Sequence, residues 1–119
     1  FHVGHELGFP TANIQVEDVQ KLIPKNGVYA VWVKEKTGGE EHVWGGMLNI
    51  GLRPTMENGE NRTIEVHLLD FAGDLYGCRL TLRFVRRLRD ERKFRNKGEL
   101  VHQLREDEAM VRMILNKEQ

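Results

Sequence analysis

Gly27-Val28-Tyr29-Ala30-Val31-Trp32-Val33-Lys34-Glu35-Lys36, then Thr37-Gly38-Gly39-Glu40, then His42 to Ile50: on this stretch the reading of the 119-residue chain turns. β-Branched and aromatic residues suit a pleated, partly buried surface, and the breaker run Pro24-Lys25-Asn26-Gly27 stands just ahead of them. The first half of the segment is apolar on both faces, as in a strand covered on two sides or wrapped into a barrel. Two adjacent glycines in Thr37-Gly38-Gly39-Glu40 supply a tight turn into the second strand. The pair Gly45-Gly46 inside that strand marks either a bulge or barrel corner, or a place where a ligand approaches the backbone.

Beyond this hairpin, Leu52 to Arg62 holds Pro54, Asn58, Gly59 and Asn61 and reads as a loop long enough to be functional. Thr63 to Asp70 alternates, with Ile64, Val66 and Leu68 on one side and Thr63, Glu65, His67 and Leu69 on the other. Cys78 to Leu88 repeats the pattern, with Leu80, Leu82 and Phe84 inward, and Ala72 to Gly77 reads as a hairpin connection between the two. The period then changes. Asn96 with Glu99 predicts an N-cap and its reciprocal partner, and Leu100, Leu104, Val111 and Leu115 recur at helical spacing over Lys97–Leu115. The expected fold is a small antiparallel β-barrel with a C-terminal helix, one domain over residues 1–119.

Composition narrows the function. Eighteen Lys and Arg balance eighteen Asp and Glu, which argues against a chain that lives on whole-surface attraction to nucleic acid or anionic lipid. The single cysteine, Cys78, excludes an internal disulfide and a cysteine-based zinc site. The longest apolar run, Val28–Val33, is far too short to span a bilayer, and no signal-type N-terminus is visible. These features lead us to expect a soluble, cytoplasmic protein.

Three groups of residues could carry chemistry, and each has an ordinary alternative. In Gly8-Phe9-Pro10-Thr11-Ala12-Asn13, Pro10 stiffens the backbone, and in an extended segment Thr11 and Asn13 face the same side. A hydroxyl and an amide oxygen suit a Mg²⁺ that keeps waters and substrate phosphates, but they also suit a hydrogen-bonded turn. Glu65 sits mid-strand, either as a working carboxylate or on a solvated face. Arg83, Arg86, Arg87, Arg89, Arg92, Lys93, Arg95 and Lys97 form a basic run that could attract phosphate or RNA, or simply face solvent. No aromatic ladder interleaves it, and no Walker-type phosphate loop occurs in the chain. His2 and His5 could pair on a metal, but no third ligand accompanies them.

The strings gain meaning in series. Leu7-Gly8-Phe9-Pro10-Thr11-Ala12-Asn13-Ile14, Pro24-x-x-Gly27-Val28-Tyr29, Asn49-Ile50-Gly51-x-x-Pro54-Thr55, Ile64-Glu65-x-His67-x-x-Asp70-Phe71, Leu75-Tyr76-Gly77 and Leu88-Arg89-x-Glu91-x-Lys93-Phe94 follow one another. Together they closely resemble the riboflavin kinase (flavokinase) domain, usually the C-terminal half of a bacterial bifunctional riboflavin kinase/FAD synthetase, from Leu7 to about Asp107. The resemblance implies a six-stranded Greek-key barrel with a helix, and transfer of the ATP γ-phosphate to the ribityl 5′-hydroxyl of riboflavin. By motif position, Thr11 and Asn13 look like the Mg²⁺-ATP residues and Glu65 like the catalytic base. His5, Pro10, Leu68, Asp70 and Tyr76 fall with Thr11 and Asn13 where the family contacts ATP. Arg89, Arg92 and Phe94 fall where it contacts the flavin.

Two features depart from the family pattern. His5 stands where the family commonly has Arg or Lys, and the family's first barrel strand would lie ahead of Phe1. An FMN adenylyltransferase domain is expected N-terminal to this one in the native chain, and the expected partners are riboflavin or FMN and ATP or ADP, not nucleic acid or membrane. The competing readings are a flavin- or nucleotide-binding barrel without turnover, and an RNA-binding barrel using Arg83–Lys97.

Overall fold

The computed structural model describes residues 11–14, 24–55, 59–71 and 79–118. They form strands β1 (Thr11–Ile14), β2 (Gly27–Thr37), β3 (Glu40–Thr55), β4 (Gly59–Leu68) and β5 (Arg79–Arg89), followed by helix α1 (Lys97–Lys117). The protein is mainly β, with one antiparallel sheet in the order β1-β4-β3-β2-β5. Strands β2, β3 and β4 form a meander, and β5 returns to lie beside β2, which is Greek-key connectivity. Among the described residues no ladder joins β1 to β5, so the five strands make an open sheet rather than a closed six-stranded barrel.

The structure corrects several boundaries. The expected loop Leu52–Arg62 is largely strand: β3 continues to Thr55 and pairs with β4 down to Thr55 opposite Gly59. Pro54 is tolerated there because β3 pairs with β2 only as far as Ile50 opposite Gly27, so among the described residues the last part of β3 has a strand on one side only. Strands β4 and β5 are not a hairpin, because β5 pairs with β2; residues 72–78 between them lie outside the described residues. The β2–β3 turn is as expected, with Gly38 at φ 59° and Gly39 at φ 88°, the left-handed pair of a two-residue hairpin.

Alternation along the strands makes two different faces. On one, Tyr29, Val31, Val33, Leu48, Ile50, Val66 and Leu68 pack as a buried apolar cluster. On the other, Val28, Ala30, Met47 and Leu69 meet Leu104, Val111 and Leu115 of α1. Full burial of a side chain such as Val111 stabilises by about 1.5–3 kcal/mol, so this stripe is what docks the helix. The glycine pair Gly45-Gly46 is neither a bulge nor a ligand approach. A Cβ on Gly45 would lie 2.8 Å from the Leu115 side chain, and one on Gly46 would lie 3.0–3.1 Å from Val33, Val31 and Val66, so close helix and sheet packing favours glycine there.

Two irregularities in β5 set the cationic end of the sheet. The β2–β5 register slips between Ala30 and Val31 and again between Val28 and Tyr29, each slip adding one residue to β5. Arg87 therefore comes opposite Tyr29, with its guanidinium 6.0 Å from the ring centroid, and Arg89 comes opposite Val28 on the helix side. A Cβ on Gly27 would lie 2.6 Å from the Arg89 carbonyl oxygen, so only glycine lets β5 close in at this point.

Helix α1 starts at the expected cap, Asn96, but Glu99 reaches back one residue further, to the N–H of Arg95. The Asn96 side chain accepts from the Glu99 N–H at 2.9 Å, and the Glu99 carboxylate accepts from the Arg95 N–H at 3.2 Å. No helix among the described residues is long and apolar enough to cross a membrane.

Candidate active site

Where α1 leans over the sheet, a cavity of about 100 Å³ remains between β3, β4, the end of β5, the segment 90–96 and the first turns of the helix. Its floor is built by strand register. Asn13 of β1 pairs with Glu65 of β4, which pairs with Asn49 of β3, so three polar residues share one rung. The next rung holds Thr11, His67 and Met47. Glu65 and His67 line the cavity and are buried, at 9% and 8% exposure. The solvated-face reading of Glu65 therefore fails, since its side chain is buried on a cavity that Leu100 and Leu104 of α1 also line. A carboxylate held this far from bulk water has to be fixed by protein groups, which is the setting a positioned proton acceptor needs.

The opposite wall is cationic. Arg89 lies on the cavity, and its guanidinium meets Asp107 of α1 through two parallel contacts, Nε to Oδ1 at 3.0 Å and Nη2 to Oδ2 at 2.7 Å. Its Nη1 donates to the Asp90 carbonyl at 3.0 Å. Such a fork-to-fork pair fixes direction as well as charge, and Asp107 is only 4% exposed. Beside it, Arg92 donates to the Gln103 side-chain oxygen at 2.6 Å and lies 5.1 Å from the centroid of Phe94, a cation–π pair at the cavity edge. Glu91 fastens this segment to β3: its Oε2 accepts from the Leu52 N–H at 3.1 Å. It does so by occupying the space a side chain at 51 would need, since a Cβ on Gly51 would fall 1.9 Å from that oxygen.

The structure thus brings Glu65, Arg89, Arg92 and Phe94 around one cavity and sets Thr11 and Asn13 in the strand paired with Glu65. Leu68 and Asp70 are elsewhere. Leu68 is buried in the apolar cluster on the far face. Asp70 is exposed, has a left-handed backbone at φ 58°, and takes both Nη groups of Arg112 at 2.9 Å. Arg112 holds the Asp70 carboxyl below the usual carboxylate range, first through these hydrogen bonds and then through its charge. His5, Pro10 and Tyr76 lie outside the described residues.

Sequence reasoning named no role for Asn49, His67, Glu91, Gln103 or Asp107. Asp107 left a signal, for it falls on the stripe of Leu100, Leu104, Val111 and Leu115, and an acid at a core position needs a cationic partner. Five of the eight cations in the basic run are engaged within the fold. Arg83 pairs with Glu118, Arg87 with Asp90, Arg89 with Asp107 and Arg95 with Glu99, while Arg92 is held by Gln103. That is poor ground for an RNA-binding face, which needs free cations.

Comparison with known proteins now bears on this geometry. The riboflavin kinase family model matches residues 1–115. The bifunctional riboflavin kinase/FMN adenylyltransferase of Pseudomonas fluorescens is 41% identical over 112 residues, covering 94% of this chain and 34% of that protein. The enzyme of the same name from Bacillus subtilis is 40% identical over 106 residues, covering 87% of this chain and 32% of that protein. Among solved structures, a macrolide-efflux protein from Streptococcus pneumoniae superimposes with a TM-score of 0.79 at 34% identity, over 92% of this chain and 34% of that one. The chain spans about a third of the length of the curated relatives it matches. With the family matched along nearly all of its length, and Glu65 and the arginines gathered at one cavity, the chain belongs to the riboflavin kinase family.

Proposed function

We propose that this domain transfers the γ-phosphoryl group of ATP to the 5′-hydroxyl of the ribityl chain of riboflavin, giving FMN and ADP. The observation that carries the reading is the burial of Glu65 on the wall of a cavity whose other wall holds Arg89, Arg92 and Phe94. Glu65 is the base: it takes the hydroxyl proton as the new O–P bond forms, while the bond from the γ-phosphorus to the β–γ bridging oxygen breaks and ADP leaves. Arg89 and Arg92 face the flavin, and Phe94 offers it an apolar ring.

Phosphoryl transfer from ATP generally needs a divalent cation, and the donor set here suits Mg²⁺. Among the described residues no three His, Cys, Asp or Glu side chains gather as a protein-only cage. Thr11 and Asn13 instead offer hydroxyl and amide oxygens in the strand paired with Glu65, the donors expected for an ion that keeps waters and phosphate oxygens. They would hold the ion, whose chemistry is to neutralise phosphate charge. His5, Pro10 and Tyr76 are assigned with them to the ATP side, and Leu68 and Asp70 are proposed for it from the end of β4, away from the Glu65 cavity. The apolar cluster on the face away from α1 supports closure of the sheet into the six-stranded barrel of residues 1–119, since a face so buried needs cover. The bifunctional relatives support an FMN adenylyltransferase domain elsewhere in the native chain. ATP as donor favours a cytoplasmic location.

The test is Glu65→Gln. Riboflavin and ATP should still bind by calorimetry, while kcat falls about 10²–10⁴-fold, and a variant within about threefold of wild type would sink the assignment.

A further inference from the structure

The cavity's two arginines sit on different elements, Arg89 at the end of β5 and Arg92 in the segment that follows, and one side chain joins them. Gln103 of α1 accepts from Arg92 through Oε1 at 2.6 Å and donates through Nε2 to Asp107 Oδ1 at 2.9 Å. Asp107 in turn holds Arg89. The amide orientation is unambiguous: a guanidinium can only donate and a carboxylate only accept, so oxygen must face Arg92 and nitrogen must face Asp107. Residues 103 and 107 are one helical turn apart, so a single face of α1 presents both groups. Gln103 is half-buried and does not line the cavity.

We propose that Gln103 is a positioning residue for the flavin side of the reaction, locking Arg92 to the Asp107–Arg89 pair so that both guanidiniums present one fixed geometry. This rests on the reading that Arg92 faces the flavin. A planar ligand met by two arginines gains most when neither has to be ordered on binding. A glutamine does this where neither a glutamate nor a lysine could. Glutamate would set carboxylate against Asp107, and lysine would set ammonium against Arg92.

The experiment compares Gln103→Leu, Arg92→Ala and the double variant of the intact protein by steady-state kinetics in riboflavin and in ATP, with melting curves alongside. Gln103→Leu keeps the volume and should raise the riboflavin KM roughly tenfold, the scale of one lost charge-assisted hydrogen bond. The ATP KM, kcat and melting temperature should stay close to wild type. In the double variant, the leucine should add clearly less than it does alone, because much of its effect passes through Arg92. If Arg92→Ala raises the riboflavin KM but Gln103→Leu does not, or if the two effects add independently, the positioning role is wrong and the flavin reading of Arg92 stands. If Arg92→Ala leaves the riboflavin KM unchanged, that reading fails and the proposal falls with it.

Discussion

On the face of the sheet away from the helix, Val31, Val33, Leu48, Ile50 and Val66 are completely buried and their neighbours are apolar. On the helix side, β3 and β4 place Asn49, Glu65 and His67 among Met47 and Leu104. The two faces are built by alternate residues of the same strands, so backbone geometry cannot be what separates them. The difference is one of task. The first face needs only volume and apolarity, which many combinations satisfy. The second gives up apolar contact to keep a cavity and a buried carboxylate, and it depends on directed hydrogen bonds to hold them.

The largest expected effect of breaking this contrast is on the apolar face. Ile50→Ala should lower unfolding free energy by about 2–5 kcal/mol in denaturant titrations, with little change in either KM for the protein that stays folded. A loss confined to KM would show that Ile50 belongs to the site instead. On the helix side the order should invert. Gly51→Ala puts a methyl group where the Glu91 carboxylate sits and frees segment 90–96 from Leu52. The riboflavin KM should rise roughly three- to tenfold, the net scale of one ordinary hydrogen bond, with a small shift in melting temperature. A large fall in melting temperature with unchanged KM would make this contact structural.

The smallest effect belongs to neither face. Asp70 and Arg112 pair at the surface, with Asp70 largely exposed and its carboxyl lowered from 3.8. A depressed folded-state value adds stability above the unfolded value and loses it as pH falls through the lower folded one. Melts of wild type and Asp70→Asn should therefore differ slightly at neutral pH and converge in acid below 3.8. A difference that persists there would assign the effect to the left-handed backbone at Asp70.

Much of this was legible from residue order. Alternation at Ile64, Val66 and Leu68 gave β4 its apolar side, and Asn96 with Glu99 marked the helix start to the residue. What alternation could not tell was that the other side of β4 would face a cavity shared with α1, with Glu65 and His67 buried rather than on the surface. The run Leu52–Arg62 looked like a loop because proline and glycine propensities are local, whereas its pairing with β4 is set by register. Thr11 and Asn13 stood out by spacing and donor chemistry and took their role from resemblance; their register opposite His67 and Glu65 comes from long-range pairing that no local pattern encodes.

The return of β5 to β2 also carries a cost in chain freedom. Val28 and Arg89 are paired across 61 residues of sequence, while Thr37 and Glu40 close their turn across three. With each doubling of a closed loop adding about 0.6 kcal/mol, pairing Val28 with Arg89 directly from an unstructured chain is roughly 2–3 kcal/mol less favourable than closing the turn. The meander of β2, β3 and β4 removes most of that distance in advance, leaving residues 69–78 as the only span between β4 and β5. The wall that holds Glu65 thus belongs to the part of the chain that can assemble from near neighbours. The wall that holds Arg89 closes at lower entropic cost onto a meander already in place, and Asp107, Gln103 and Glu91 are side chains that fasten it there.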